Sequence, residues 1–299
     1  MRRIEVMSQE PPSPASIQPR RRRRIWPWIL VASAIIVCVL IDGSRCTPAD
    51  LSKPIVTVVG QARLDAPSSA VLRIGTFNIH SGRGQDRQSN LARTAAVFSS
   101  PMDIIGLNEV RGTWDQSLGS DQAAQLGLLL GMQSIFLPTE RRWWHDHFGN
   151  GLLTRLPLRH VQRLPLVCTR GKAYRSATLT EFELQSQTVQ LLSVHVDSQA
   201  DREHQLRTVL TLFQGLQAPA ILIGDLNSTA DDPQMIELLS KPEIVDPLKD
   251  SPPDNRGRKH IDWILARGFH CRSGQLIQNE ASDHPAVVAE LELLSPTPE

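Results

Sequence analysis

The chain has 299 residues, 40% of them apolar and 21% charged, with a formal net charge of +1. That apolar content suffices for a folded core and excludes global disorder, while the length allows one large domain or two smaller ones. The near-neutral total hides an asymmetry: residues 1–24 carry seven arginines against two acids, +5, and the remainder has 25 basic and 29 acidic residues, −4. After the N-terminal stretch the chain therefore lacks the bulk basic excess of proteins that grip nucleic acid electrostatically.

Residues 1–24, rich in Pro, Ser and Arg, read as a disordered basic cytoplasmic tail. IWPWILVASAIIVCVLI, residues 25–41, follows without a charge. As a helix it would span about 26 Å against a hydrocarbon core of about 30 Å, with Trp26 and Trp28 placed for an interfacial aromatic belt. With arginines before it, this predicts a single-pass transmembrane signal anchor, N-terminus cytoplasmic, followed by a periplasmic or extracellular domain. A cleaved signal peptide is the alternative; its apolar region usually runs about 7–15 residues and ends in A-x-A, for which TPA at 47–49 is a poor substitute. Residues 42–70, with Pro54, Pro67 and Ser68-Ser69, read as a linker in which IVTVV at 55–59 offers one short strand.

From Val71 to about residue 295, apolar runs of strand length alternate with amphipathic stretches. VLRIGTFNI, MDIIGLNEV, NGLLTR, ATLTEFEL, VQLLSVHV, AILIGDLN, HIDWILA and PAVVAELEL read as strands, and 89–99, 121–131, 202–214 and 233–240 as helices. Such interleaving predicts an α/β domain with some antiparallel pairing. A degenerate repeat lies within it. VLRIGTFNIH, NLARTAAVF and DIIGLNEV form one strand–helix–strand unit; VQLLSVHVDS, HQLRTVLTLF and AILIGDLNS form another. Each first strand ends in a hydrogen-bonding residue, Asn78 or His195, and each second strand in a carboxylate, Glu109 or Asp225. Ligands collect at the carboxyl ends of strands in such sheets, so the repeat predicts one polar cluster built from two similar halves. Of the four cysteines, Cys168 and Cys271 are open to either a disulfide or free thiols, and no C-x-x-C suggests a thiol metal site.

Several residues carry chemistry. In GDLN, Asp225 and Asn227 are two apart, so both side chains point to one side and a water between them could lose its proton to the carboxylate. Asp262 lies between Ile261 and Trp263, where an unpaired carboxylate is costly to bury and an imidazole or cation is needed beside it. Asp283 and His284 are neighbours before a terminal strand, so each needs its own partner. TERRWWHDHFGN, residues 139–150, groups arginines, tryptophans and histidines; it suits nucleobase stacking, a lipid interface or a plain solvated loop.

Taken together, TFNIH, LNEV, the histidine of SVHVD, GDLN, IDWIL and SDHPAV resemble, in order and spacing over about residues 71–294, the endonuclease/exonuclease/phosphatase superfamily. That group includes deoxyribonuclease I, abasic-site endonucleases, neutral sphingomyelinases and inositol-polyphosphate 5-phosphatases. GNGLLTRLPL, 149–158, is similar to its central strand. The resemblance implies a deoxyribonuclease I-like four-layer α/β sandwich over 71–295, two packed mixed β-sheets flanked by helices. It implies Mg²⁺ or Mn²⁺ held by Glu109, with Asn78 and Asp283 beside it. Asp225 would activate water and Asn227 hold it, His284 oriented by Asp262 would stabilise the phosphoryl charge, and His195 would contact phosphate or the leaving oxygen. Asn150 and Arg175 are further substrate-binding candidates. LNEV departs from the L-Q-E of many relatives by Asn108, and HIDWIL from the W-C-D-R-I type of the 5-phosphatases, which leaves the subgroup open. The implied activity is hydrolysis of a phosphodiester, nucleic acid first and phospholipid headgroup second, by an enzyme held on a bilayer through residues 25–41; a non-catalytic scaffold of the same fold is the remaining alternative. No protein partner is expected.

Overall fold

Residues 26–50, 52, 57–58, 69–113, 120–250 and 259–295 are described by the structure, a computed structural model. The predicted tail, 1–24, lies outside the described residues. Two compact units divide the chain, Met1–Asp42 and Gly43–Glu299. The first holds most of α1 (Trp26–Ser44), 19 residues long. The helix forms where the apolar run predicts one, having neither Gly nor Pro between Trp28 and Asp42, and Trp28, Leu30, Ile36 and Ile41 are all exposed. Its uncharged part ends at Ile41, short of the roughly 20 apolar residues that a bilayer core requires. Among the described residues no helix is long and apolar enough to cross a membrane, which corrects the predicted spanning segment.

In chain order the second unit runs β1 (Thr47–Pro48), β2 (Thr57–Val58), β3 (Val71–Asn78), α2 (Leu91–Ala96), β4 (Ile104–Arg111), α3 (Gln122–Leu130), β5 (Gln133–Arg142), β6 (His145–Thr154), β7 (Leu158–Pro165), β8 (Ser176–Leu184), β9 (Gln187–His195), α4 (Arg202–Gly215), β10 (Ala220–Asp225), α5 (Pro233–Leu239), β11 (Asp262–Arg267), β12 (Phe269–Ile277) and β13 (Ala286–Leu293). An eight-stranded sheet has the order β1-β5-β6-β4-β3-β13-β12, with β2 also on β5; a five-stranded sheet has the order β11-β10-β9-β8-β7. Both are mixed: β3 with β4 and β9 with β10 are parallel, and the other pairs antiparallel.

Strands covered on both faces read as continuous apolar runs, and AILI of β10 shows why. Ile221 and Ile223 join the cluster between the sheets, with Leu72, Ile74, Ile104 and Leu191. Ala220 and Leu222 face Leu206, Val209 and Phe213 of α4 in a second cluster. On the far side Phe77, Ile105 and Leu107 pack with Phe98 and, from α3, Leu126. The result is four layers, with α2 and α3 on one sheet and α4 and α5 on the other. Each such buried Leu or Ile contributes about 1.5–3 kcal/mol.

Helix ends follow local chemistry. Asn90 caps α2 by accepting from Arg93 N, Asp121 caps α3 through Ala124 N, and Asp232 caps α5 with Pro233 in its first turn. The segment expected as a helix over 89–99 is helical only from Leu91 to Ala96. Part of the segment read as linker pairs with the sheet: Thr47 lies opposite Arg141 and Thr57 opposite Ile135. All four cysteines are free thiols, so Cys168 and Cys271 are not bridged.

Candidate active site

The two strand–helix–strand units bring their carboxyl ends together. In the second unit His195 and Asp225 lie in register. In the first, the register of β3 with β4 sets Asn78 opposite Asn108, not Glu109, and a bulge interrupts the pairing of β4 with β6 between Leu107 and Val110. Glu109 sits in that bulge with φ 59°, a left-handed backbone that costs energy for a non-glycine residue and tends to be kept at functional positions. Its side chain is thereby turned beside Asn78, whose Nδ2 donates to Glu109 Oε1 (3.3 Å) and to Asp225 Oδ2 (3.0 Å).

Asn108 staples the two sheets. Its Nδ2 donates to Val194 O (2.9 Å) and Asn150 Oδ1 (3.1 Å), and its Oδ1 accepts from Asp225 N (3.0 Å). Gly224 lets β10 lie this close to β9: its φ is +133°, and a Cβ there would stand 1.9 Å from Val194 O. Asp225 itself is 1% exposed. Asn227, also left-handed at φ 47°, fixes it by donating its backbone N–H to Asp225 Oδ1 (2.9 Å), while its side-chain amide is tied to Val196 O (2.8 Å).

His284 donates Nδ1–H to Asp262 Oδ2 at 2.7 Å and stands 3.9 Å from Asp225 Oδ2. Burial alone would lower the imidazole, but the carboxylates of Asp262 and then Asp225 override it and hold His284 up at about 10. Asp225 is pushed up to about 7, first by burial and then by the charge of Asp262, against the pull of His284 and Asn78. His195 Nε2 lies 3.7 Å from the same Asp225 oxygen. Burial foremost, then the cations Arg175 and His284, keep its pKa well below the usual range, so this contact is a neutral imidazole beside a carboxylate and not an ion pair.

Asp283 precedes β13 with its Oδ1 3.5 Å from His80 Nδ1, and Ser282 Oγ ties the segment to Asn78 O at 2.7 Å. Asn150 is 2% exposed, and its Nδ2 has no hydrogen-bond partner among the described residues; the same holds for Arg175 Nε. A cleft of about 190 Å³ opens over Asp262, Asp283 and His284, walled by Lys259, His260 and Pro285. His80 and Ser282 are not marked out by sequence as site residues, although they fall inside the quoted motifs TFNIH and SDHPAV; Asn108, inside LNEV, is marked there only as a departure from L-Q-E.

Could the site hold a divalent cation? The Asp225, Asp262 and His284 ligand atoms lie within 4.8 Å of one another. There, however, the hydrogen-bonded imidazolium already supplies the positive charge, and its nitrogen offers no lone pair. Glu109 fits better: it and Asp225 converge on one amide nitrogen, and oxygen donors of few protein groups suit Mg²⁺ or Mn²⁺. Asn78 Oδ1 accepts from His80 N (3.1 Å), so its oxygen is turned away from the two carboxylates.

Residues 75–284 match the model of the Endonuclease/Exonuclease/phosphatase family, while no curated protein matches the chain. Solved structures share the fold. A Beutenbergia cavernae endonuclease/exonuclease/phosphatase is 24% identical, with a TM-score of 0.61, over 75% of this chain and 72% of its own. A Bacteroides thetaiotaomicron mannosyl-6-phosphatase is 17% identical, TM-score 0.57, over 74% and 99%. D. rerio TDP2 in complex with single strand DNA product is 18% identical, TM-score 0.54, over 74% and 98%.

Proposed function

Because the chain belongs to the endonuclease/exonuclease/phosphatase family, whose members are phosphoesterase hydrolases, we propose that it hydrolyses a phosphodiester with an activated water in a divalent-metal-dependent reaction, nucleic acid being the leading substrate class. The observation that carries this reading is the buried Asp225 carboxylate, pushed up to about 7 and set between an imidazolium and the amide of Asn78. A base is most effective when its pKa lies near the working pH. Asp225 takes the proton of the attacking water at Oδ2, and the Asn227 backbone N–H holds the other oxygen. His284, kept charged by Asp262, donates to the phosphoryl oxygens as their charge grows. Asn150 Nδ2 and Arg175 are the donors left for the substrate's remaining phosphate oxygens, and neutral His195 buttresses Asp225 from behind. Glu109 would hold the Mg²⁺ or Mn²⁺, with Asp283 as a further oxygen donor, while Asn78 orients the Glu109 and Asp225 carboxylates through its Nδ2; the bound ion would supply Lewis-acid neutralisation of the phosphoryl group.

The test is a substrate panel of plasmid DNA, RNA, sphingomyelin, inositol phosphates and sugar phosphates, with Mg²⁺, Mn²⁺ or chelator. Metal-dependent turnover lost in Asp225→Ala supports the reading; no turnover on any substrate would favour a scaffold. Turnover of sphingomyelin alone would favour phospholipid hydrolysis, the second reading, which the exposed apolar surface of α1 recommends. A helix apolar on every face has no stable place in water. We therefore propose that α1 associates with a bilayer, with the catalytic unit extracytoplasmic. Release of the full chain by alkaline carbonate would count against the association, and a reporter after Glu299 active only in the cytoplasm against the orientation.

A further inference from the structure

The hairpin joining β5 to β6 turns on two residues, Trp143 and Trp144, between the paired Arg142 and His145. Both tryptophans are left-handed, φ 51° and 63°. Two-residue turns of this hand are normally Asn-Gly or Gly-Gly, because a bulky side chain at positive φ is strained. Two indoles are the opposite choice from the one stability favours. Nor do they fill a core: Trp144 is 55% exposed, and the rings meet edge to face at 6.1 Å. Strain kept at an exposed turn points to work done outside the fold.

The tip is fastened to the last residues of α1. Trp143 N donates to Gly43 O (2.7 Å) and Arg142 Nε to Ser44 O (3.2 Å). The Trp143 ring lies so close over Gly43 that a Cβ there would stand 2.3 Å from its Cε3. Arg141 braces the turn by donating Nη2 to Trp144 O (2.7 Å). Two residues before Gly43, the uncharged apolar run of α1 ends at Ile41. A half-buried and an exposed tryptophan preceded by two arginines have the composition of a membrane–water interface.

We propose that the Trp143–Trp144 tip is an interfacial contact that seats the catalytic unit on an anionic phospholipid surface, its indoles among the headgroups and Arg142 facing lipid phosphate. This rests on the bilayer association of α1 proposed above. The edge-to-face rings disfavour a stacking platform for nucleobases, which needs open ring faces.

The chain's six tryptophans allow a test with opposite signs. The full chain and its Trp143→Asn/Trp144→Gly variant are reconstituted into phosphatidylcholine–phosphatidylglycerol vesicles with brominated acyl chains, and the quenched fraction of tryptophan emission is measured. If the tip lies in lipid, the fraction falls in the variant, because two quenched emitters are lost and Trp26 and Trp28 remain. A rise in the variant means that the removed pair was in water, and overturns the proposal while leaving the α1 reading intact. No quenching in either protein overturns both. Replacing phosphatidylglycerol by phosphatidylcholine should shrink the difference. Trp143→Phe/Trp144→Phe repeats the measurement should the first variant misfold. Quenching of the tip by single-stranded oligothymidylate in detergent, together with that rise under brominated lipid, would assign the tip to nucleobases instead.

Discussion

In the β9–α4–β10 half, the two strand ends stay in register, and His195 and Asp225 are exposed by only 2% and 1%. In the β3–α2–β4 half the register stops one residue earlier, at Asn78 and Asn108, and Glu109 sits in a bulge of β4 against β6 with a left-handed backbone and part of its side chain open to solvent. Each half offers a carboxylate at the end of its second strand, yet one has been sealed in and the other released. Burial raises Asp225 to about 7, where it can exchange a proton; Glu109, reachable from outside, can meet a hard cation without prior dehydration of a closed pocket. On the roles proposed above, one extra residue in a strand separates a base from a metal ligand within a shared scaffold.

The sharpest way to break this comparison is to exchange the two roles. Asp225→Asn should lower kcat by about 10²–10⁴-fold, the range for a lost general base, with the apparent Mg²⁺ requirement little changed; an Mg²⁺ titration of activity checks both. Glu109→Gln should do the reverse, weakening apparent metal affinity by at least about 10–100-fold, a loss typical even of outer-shell partners, with partial recovery at high Mg²⁺. Equal, unrecoverable losses in both would mean that the halves are not differentiated. Next comes the staple between them. Asn108→Ala strands Asp225 N–H and Val194 O, buried groups whose loss costs about 1–3 kcal/mol each, and chemical denaturation should show a drop of about that size.

The smallest effect is on pH dependence. Activity should rise as Asp225 loses its proton near 7 and fall as His284 loses its own near 10. Asp262→Asn removes the carboxylate that raises His284, so the alkaline limb should move down by about 1–3 units; an unmoved limb would assign it to another group. Stability follows the same linkage. The raised His284 pKa contributes stability that is complete below 6.5 and lost as pH rises through about 10. The raised Asp225 pKa imposes a penalty that grows from about 3.8 and is complete above about 7.

How much of this is legible in the sequence depends on how local the cause is. Apolar runs and the two similar strand–helix–strand units place most strands but not β5, β7 or β12, and a carboxylate between Ile261 and Trp263 demands a partner on energetic grounds alone; Asp262 is found 1% exposed against His284. The bulge at Glu109 leaves no such trace, since LNEV contains no Gly or Pro to mark it. Asn108 shows in the sequence only as a departure from L-Q-E; its role as a staple does not, because its partners arrive from 86 and 117 residues away. The Asn78 amide, expected to turn oxygen toward a metal, instead turns nitrogen toward two carboxylates, a choice set by the whole cluster.

The pairing of β1 and β2 with β5 bears on how this protein should be handled. β5 is apolar through Ile135, Phe136 and Leu137, and its outer edge is partly covered by Thr47–Pro48 and Thr57–Val58. An uncovered apolar edge strand recruits further strands and seeds aggregation. A chain cut at residue 71 would keep every catalytic candidate yet bare that edge, whereas one beginning at Gly43 would keep it covered. Solubility of the isolated catalytic unit should therefore depend on a segment that contributes nothing to its chemistry.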